Sequence, residues 1–125
     1  MHIQVTIVED EPSHAILMEY HLKKIEAKSI LYHTGQSFLD NLNSLNTDLL
    51  IISDQLHDIS VPSLLEQLET KVMNGNMTVM IMSTGRQAVL ESSKYDIIYC
   101  YKPFSVQEFR KKVLSVLPKQ YVSSN

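Results

Sequence analysis

Asp48-Leu49-Leu50-Ile51-Ile52-Ser53-Asp54 sets four large aliphatic residues in a row between an acid and a hydroxyl-acid pair. In an extended chain successive side chains point to opposite faces, so four apolar residues together need cover on both sides. Such a segment is the central strand of a parallel sheet packed between two layers of helices. Toward the N-terminus, Ile3, Val5, Ile7 and Val8 form a β-rich run that stops at Glu9-Asp10-Glu11 and Pro12. From Ser13 the apolar residues Ala15, Met18, Leu22 and Ile25 recur at helical spacing, the stripe of a first helix. Ser29 to His33 reads as a second strand. Ser37 to Leu45, with Phe38, Leu42 and Leu45 along one side, reads as a second helix.

Toward the C-terminus, a polar loop runs through Ser60, and Pro62 suits an early helical position. Leu64, Leu65, Leu68 and Val72 then carry a third helix to the Asn74-Gly75-Asn76 turn. Thr78 to Ser83 is a fourth, buried strand, Gln87 to Ser93 a short fourth helix, and Ile97 to Tyr101 a fifth strand stopped by Lys102-Pro103. Ser105 followed by Glu108 is a capping-box pattern opening a last helix striped by Val106, Phe109, Val113 and Val116 and ended by Pro118. Five strands alternating with five helices imply right-handed crossovers and an α/β, doubly wound parallel sheet. One core fits 125 residues, so a single domain is expected over 1–125, with its core at about 3–118 and a tail at 119–125.

Composition narrows the function classes. Hydrophobic residues make up 44% and charged residues 20%, which suits a folded domain and not a disordered chain. The longest apolar run, Ile97 to Tyr101, is far short of the ~20 residues of a membrane-spanning helix. The N-terminus lacks the pattern of a signal peptide, so a cytoplasmic protein that does not act at a membrane is expected. Net charge is −3, and the basic residues are scattered apart from Lys23-Lys24 and Arg110-Lys111-Lys112, which argues against direct nucleic-acid binding. Cys100 is the only cysteine, so it cannot form an intrachain disulfide and reads as a small core residue. His14 and His21 lack a metal-motif spacing and read as solvated, whereas Met80 and Met82 read as strand core; Met73 and Met77 do not make a soft-metal box.

In doubly wound sheets, ligands collect at the carboxyl ends of the strands. The residues there are Glu9, Asp10, Ser53, Asp54, Ser83, Thr84 and Lys102. Adjacent carboxylates suit Mg²⁺, while a hydroxyl and an ammonium facing them suit a phosphoryl group.

With these residues in place the chain resembles, over nearly its whole length, the receiver domain of bacterial two-component response regulators, a flavodoxin-like fold. Val8-Glu9-Asp10-Glu11-Pro12 looks like the family's acidic pocket. Ser83-Thr84 resembles its hydroxyl and small residue, and Tyr99-Cys100-Tyr101-Lys102-Pro103-Phe104 its switch aromatic, lysine, usually cis proline and following aromatic. The resemblance implies an aspartate ending the third strand that takes a phosphoryl group from a kinase histidine. It also implies a relay through the hydroxyl and Tyr99 to a face made by the fourth helix, fifth strand and fifth helix. Partners through that face would be a histidine kinase, a phosphotransfer protein or an output protein, or a second copy of the chain.

The chain departs from the family at the acceptor. Counting from Asp48 lands on Ser53, and the downstream loop agrees, with His57 in place of a customary proline and Val61 in place of a glycine. Asp54 lies one residue later, on the opposite face of the strand, and could substitute only through a bulge. A serine hydroxyl needs a base that the motif lacks, so phosphotransfer at Ser53 is not expected. Mg²⁺ would keep only Asp10, Glu9 and the backbone carbonyl of Gln55, so its affinity should fall, and Lys102 is expected to pair with Asp10. Three readings follow. The first is a pseudo-receiver that signals by phosphorylation-independent protein contact and is not an enzyme. The second is an Mg²⁺-dependent self-phosphorylating receiver that uses Asp54. The third is a flavin-type cofactor binder, disfavoured because three acids occupy the place of a phosphate loop.

Overall fold

All five strands form within one residue of the ends expected from the apolar runs. The computed structural model describes residues 3–71, 77–85 and 95–116. In chain order the elements are β1 (Gln4–Val8), α1 (Pro12–Lys24), β2 (Lys28–Tyr32), α2 (Gly35–Leu39), β3 (Leu49–Ser53), α3 (Val61–Lys71), β4 (Thr78–Ser83), β5 (Asp96–Tyr101) and α4 (Val106–Ser115). The expected helix over Gln87 to Ser93, Met73 and the tail lie outside the described residues, so four α-helices are described where five were expected.

The strands make one parallel sheet in the order β2-β1-β3-β4-β5. Chain direction along the sheet reverses between β1 and β3, so the crevice expected for a ligand opens at their carboxyl ends. β3 is buried at all five positions, as its aliphatic run requires. Its alternation sorts the core into two layers. Leu50 and Ile52 join Phe38 of α2 and Leu64 and Leu68 of α3 on one face. Leu49 and Ile51 join Met18 and Leu22 of α1 and Phe109 and Val113 of α4 on the other. Each aliphatic side chain so buried contributes roughly 1.5–3 kcal/mol of transfer free energy. Met80, Met82 and Cys100 are fully buried in the second layer, as expected for core residues. Desolvation, then the Glu108 charge, pushes the Cys100 thiol pKa up, against the opposing pull of Lys112.

Local signals explain most helix ends. Glu11 accepts a hydrogen bond from the Ser13 N–H and Pro12 occupies the first turn of α1. That helix ends where Glu26 takes a φ of 62°, letting the Ala27 N–H reach the Leu22 carbonyl at 2.9 Å. The Ser105 hydroxyl accepts from the Glu108 N–H at 3.0 Å, opening α4 as the capping pattern predicts.

Two expectations about the helical layers need correction. The second helix is not continuous from Ser37 to Leu45: α2 starts earlier because Thr34 caps it through the Ser37 N–H, and it stops at Leu39. The Asn41 side chain takes the Ser37 carbonyl at 2.8 Å, and a 3₁₀ turn over Leu42–Ser44 carries Leu42 into the same core layer. His21 is not solvated. It is 8% exposed, inside the α1–α4 seam, where Arg110 donates to its Nδ1 at 3.0 Å.

Candidate functional site

β1, β3 and β5 each deliver one polar side chain to the same point. Glu9 follows β1 with its N–H still bonded to the Tyr32 carbonyl, Ser53 ends β3, and Lys102 follows β5 with its N–H on the Ser83 carbonyl. The Lys102 ammonium donates to Glu9 Oε1 at 3.2 Å and to Ser53 Oγ at 3.4 Å. Glu9 and Ser53 are each 1% exposed, so this is a buried ion pair joined to a buried hydroxyl. The other Glu9 oxygen accepts from the Glu11 N–H at 3.2 Å. Ser53 Oγ also accepts from the Gln55 N–H at 3.2 Å.

Lys102 therefore pairs with Glu9 and not, as expected, with Asp10. Parity is the reason. Glu9 continues the alternation of Val5 and Ile7, Ser53 that of Leu49 and Ile51, and Lys102 that of Ile98 and Cys100, all on the face that packs on α1 and α4. Asp10 falls on the other side of the turn. There its Oδ2 accepts from the His57 N–H at 3.2 Å and from the His57 ring Nδ1, which must carry the proton because a carboxylate only accepts. His14, expected to be solvated, places Nδ1 3.8 Å from Glu9 Oε1.

Asp54 meets the residue that follows β4. Its Oδ2 accepts from the Thr84 N–H at 2.9 Å and from the Thr84 hydroxyl at 3.3 Å. The β3–β4 register runs unbroken from Leu49↔Thr78 to Ser53↔Met82, and the Asp54 N–H bonds the Met82 carbonyl, so the strand end carries no bulge. Ser83 accepts from the Gly85 N–H at 2.9 Å. The Lys102–Pro103 peptide is cis, as the resemblance implied. Phe104 stacks at a tilt on Phe109, with centroids 5.5 Å apart. Tyr99 is half-buried, lies parallel to the exposed Tyr101 ring with centroids 6.1 Å apart, and offers its carbonyl to Lys112 Nζ at 2.7 Å.

The loop after β3 completes the rim. His57 holds Asp10, and the next residue, Asp58, caps α2 through both oxygens, accepting from the Gly35 N–H at 3.1 Å and the Gln36 N–H at 2.8 Å. Desolvation raises the Asp58 pKa, but these backbone hydrogen bonds, helped by His57, outweigh it and leave the carboxyl below its usual value. The sequence marked Asp58, Ile59 and Ser60 as matching the family's loop and His57 as departing from it, but neither signal pointed to these contacts.

Mg²⁺ asks for several hard oxygens in near-octahedral array. Here Glu9 is held by Lys102 and the Glu11 N–H, Asp10 by His57, and β3 ends in a neutral hydroxyl. Among the described residues, three or more His, Cys, Asp or Glu side chains nowhere converge in an arrangement that could hold a metal ion.

The same architecture recurs among solved structures. A response regulator receiver domain protein from Bacillus halodurans C-125 matches with a TM-score of 0.85 at 39% identity, covering 94% of this chain and 99% of that one. A CheY-like receiver domain from Methanospirillum hungatei JF-1 shares the fold at a TM-score of 0.81 and 18% identity, over 98% of this chain and 99% of that one. So does the chemotaxis response regulator CheY4 of Vibrio cholerae, at 0.79 and 14%, over 94% and 100%. No family model matches the chain, and no curated protein matches it. The parallel 2-1-3-4-5 sheet carries an acid, a hydroxyl and a lysine together at its carboxyl edge, the class of a flavodoxin-like receiver fold. The chain belongs to the response regulator receiver domain family of two-component signalling.

Proposed function

We propose that this receiver domain is a pseudo-receiver, passing its signal by protein–protein contact without accepting a phosphoryl group. One observation carries the reading: the lysine that would meet the phosphoryl group reaches the Ser53 hydroxyl, while Asp54 is turned to Thr84 without a bulge. A carboxylate attacks phosphorus as it stands, whereas Ser53 would need a base, and among the described residues the polar neighbours at its Oγ are the Lys102 ammonium and the Gln55 N–H, which are donors. On this reading the domain is not an enzyme. The Lys102 ammonium supplies the positive charge that a cation would bring, so Mg²⁺ binds weakly at most.

The partner is a signalling protein, namely a histidine kinase, a phosphotransfer protein or an output protein, met in the cytoplasm. One structural neighbour is the receiver domain of the hybrid histidine kinase CckA, which favours a kinase-linked partner. β5 and α4 expose Tyr101 and Leu114 on the side expected to dock, and a second copy of the chain would use the same side. Asp54 as an active acceptor is the competing reading, favoured by its contact with a strand-end hydroxyl.

Intact mass and peptide mapping after incubation with an acyl phosphate and Mg²⁺ separate the two. The parent protein is expected to gain no adduct, and Ser53→Asp, which restores a carboxylate beside Lys102, to gain one phosphoryl group. A labile phosphate mapped to Asp54 of the parent would overturn the proposal.

A further inference from the structure

We propose that His21 and Arg110 form a clasp between α1 and α4 that holds only while the imidazole is neutral and opens on protonation. The seam lies on the face of the sheet that packs on α1 and α4, and the inference does not depend on how the strand-end site is read. His21 is one of six buried polar or charged residues among the described ones and the only buried histidine. Arg110 Nη2 lies 3.0 Å from its Nδ1. A guanidinium can only donate, so Nδ1 must be the acceptor and the ring proton must sit on Nε2. A proton added at Nδ1 removes that lone pair and sets two cations against each other in a desolvated place.

Among the described residues, no carboxylate is one of the charged groups that act on the ring. These are Arg110 from α4 and Lys24 from its own helix, both cationic. β2, which also packs on α1, contributes one charged residue, Lys28, which is exposed and again cationic. Tyr20 meets the ring edge-on at 4.9 Å and is itself covered by Lys24 at 5.2 Å from its centroid. Arg110 Nε is buried and lacks a hydrogen-bond partner among the described residues, so the histidine is a contact the seam cannot readily replace. Burial first, then Arg110 and Lys24, hold the His21 pKa below its ordinary 6.5. The unfolded chain thus takes up the proton first, and the clasp's contribution, present above 6.5, is lost as pH falls through the folded value.

A histidine-resolved NMR titration of the full chain from about pH 8 to 5, with amide hydrogen exchange at both ends, tests this. His21 is expected to titrate below 6.5 with its neutral ring in the Nε2–H form, and acid is expected to strip protection from α1 and α4 ahead of β3. His21→Gln, whose amide oxygen accepts from Arg110 at any pH, should abolish the acid-induced loss. A His21 titration at or above 6.5, or equal loss in parent and variant, overturns the clasp. Should the variant fail to fold, Arg110→Gln serves: it must shift the His21 titration upward, and an unmoved titration rejects the proposal.

Discussion

Without the Lys102 ammonium, the Glu9 carboxylate would stand 1% exposed with, among the described residues, the Glu11 N–H and the distant His14 ring to answer its charge. Breaking a buried ion pair from one side costs about 3–5 kcal/mol because a charge is left uncompensated, whereas removing both charges can be close to neutral. Lys102→Met is therefore expected to lower stability by about 3 kcal/mol in urea denaturation, and Glu9→Gln with Lys102→Met to recover most of it. Equal losses in the single and double variants would show that the pair is solvated. At this scale the cluster of Glu9, Ser53 and Lys102 was legible because three strand ends converge. The choice of Glu9 over Asp10 was legible too, through a period-2 count from Val5, but the adjacent acids hid it. His57 was not legible, since a loop residue's reach to Asp10 depends on a path that periodicity does not describe.

Elements meet through the loop between β3 and α3, which is tied to the β1–α1 turn by His57 and to the start of α2 by Asp58. The second tie demands a close approach. A Cβ on Gly35 would stand 2.2 Å from Ile59 Cγ2 and 3.3 Å from Asp58 Oδ1. Gly35→Ala should cost about 1–3 kcal/mol as an overpacked contact, and Ile59→Leu, which removes the offending γ-methyl, should restore part of that loss. Independent, additive effects in the denaturation midpoints would refute the contact. α2 was the least legible element, because Thr34 and Asn41 act on its backbone through their side chains and the apolar spacing of Phe38, Leu42 and Leu45 persists across the break.

Over the whole molecule, two core layers share one sheet, and each is anchored by a buried phenylalanine. Phe38 and Phe109 are each 1% exposed, one in the α2–α3 layer and the other in the α1–α4 layer. Truncating either to Ala should cost about 3–5 kcal/mol. With no partner in common the losses should add, and the sum reaches the 5–15 kcal/mol total typical of a domain. Each single variant is expected to fold with a lowered midpoint and the double variant to be unfolded by circular dichroism; a folded double variant would mean that the layers repack jointly. The sheet itself was legible from apolar runs because a strand covered on both faces leaves little choice of partner or side.

The lone thiol gives the second layer a built-in reporter. Cys100 is 0% exposed on β5, beneath α4, with its pKa raised, so a thiol reagent cannot reach a reactive sulfur in the closed protein. One sulfur per chain then acts as a clock: the rate at which it is labelled counts how often α4 lifts from the sheet, without any engineered probe.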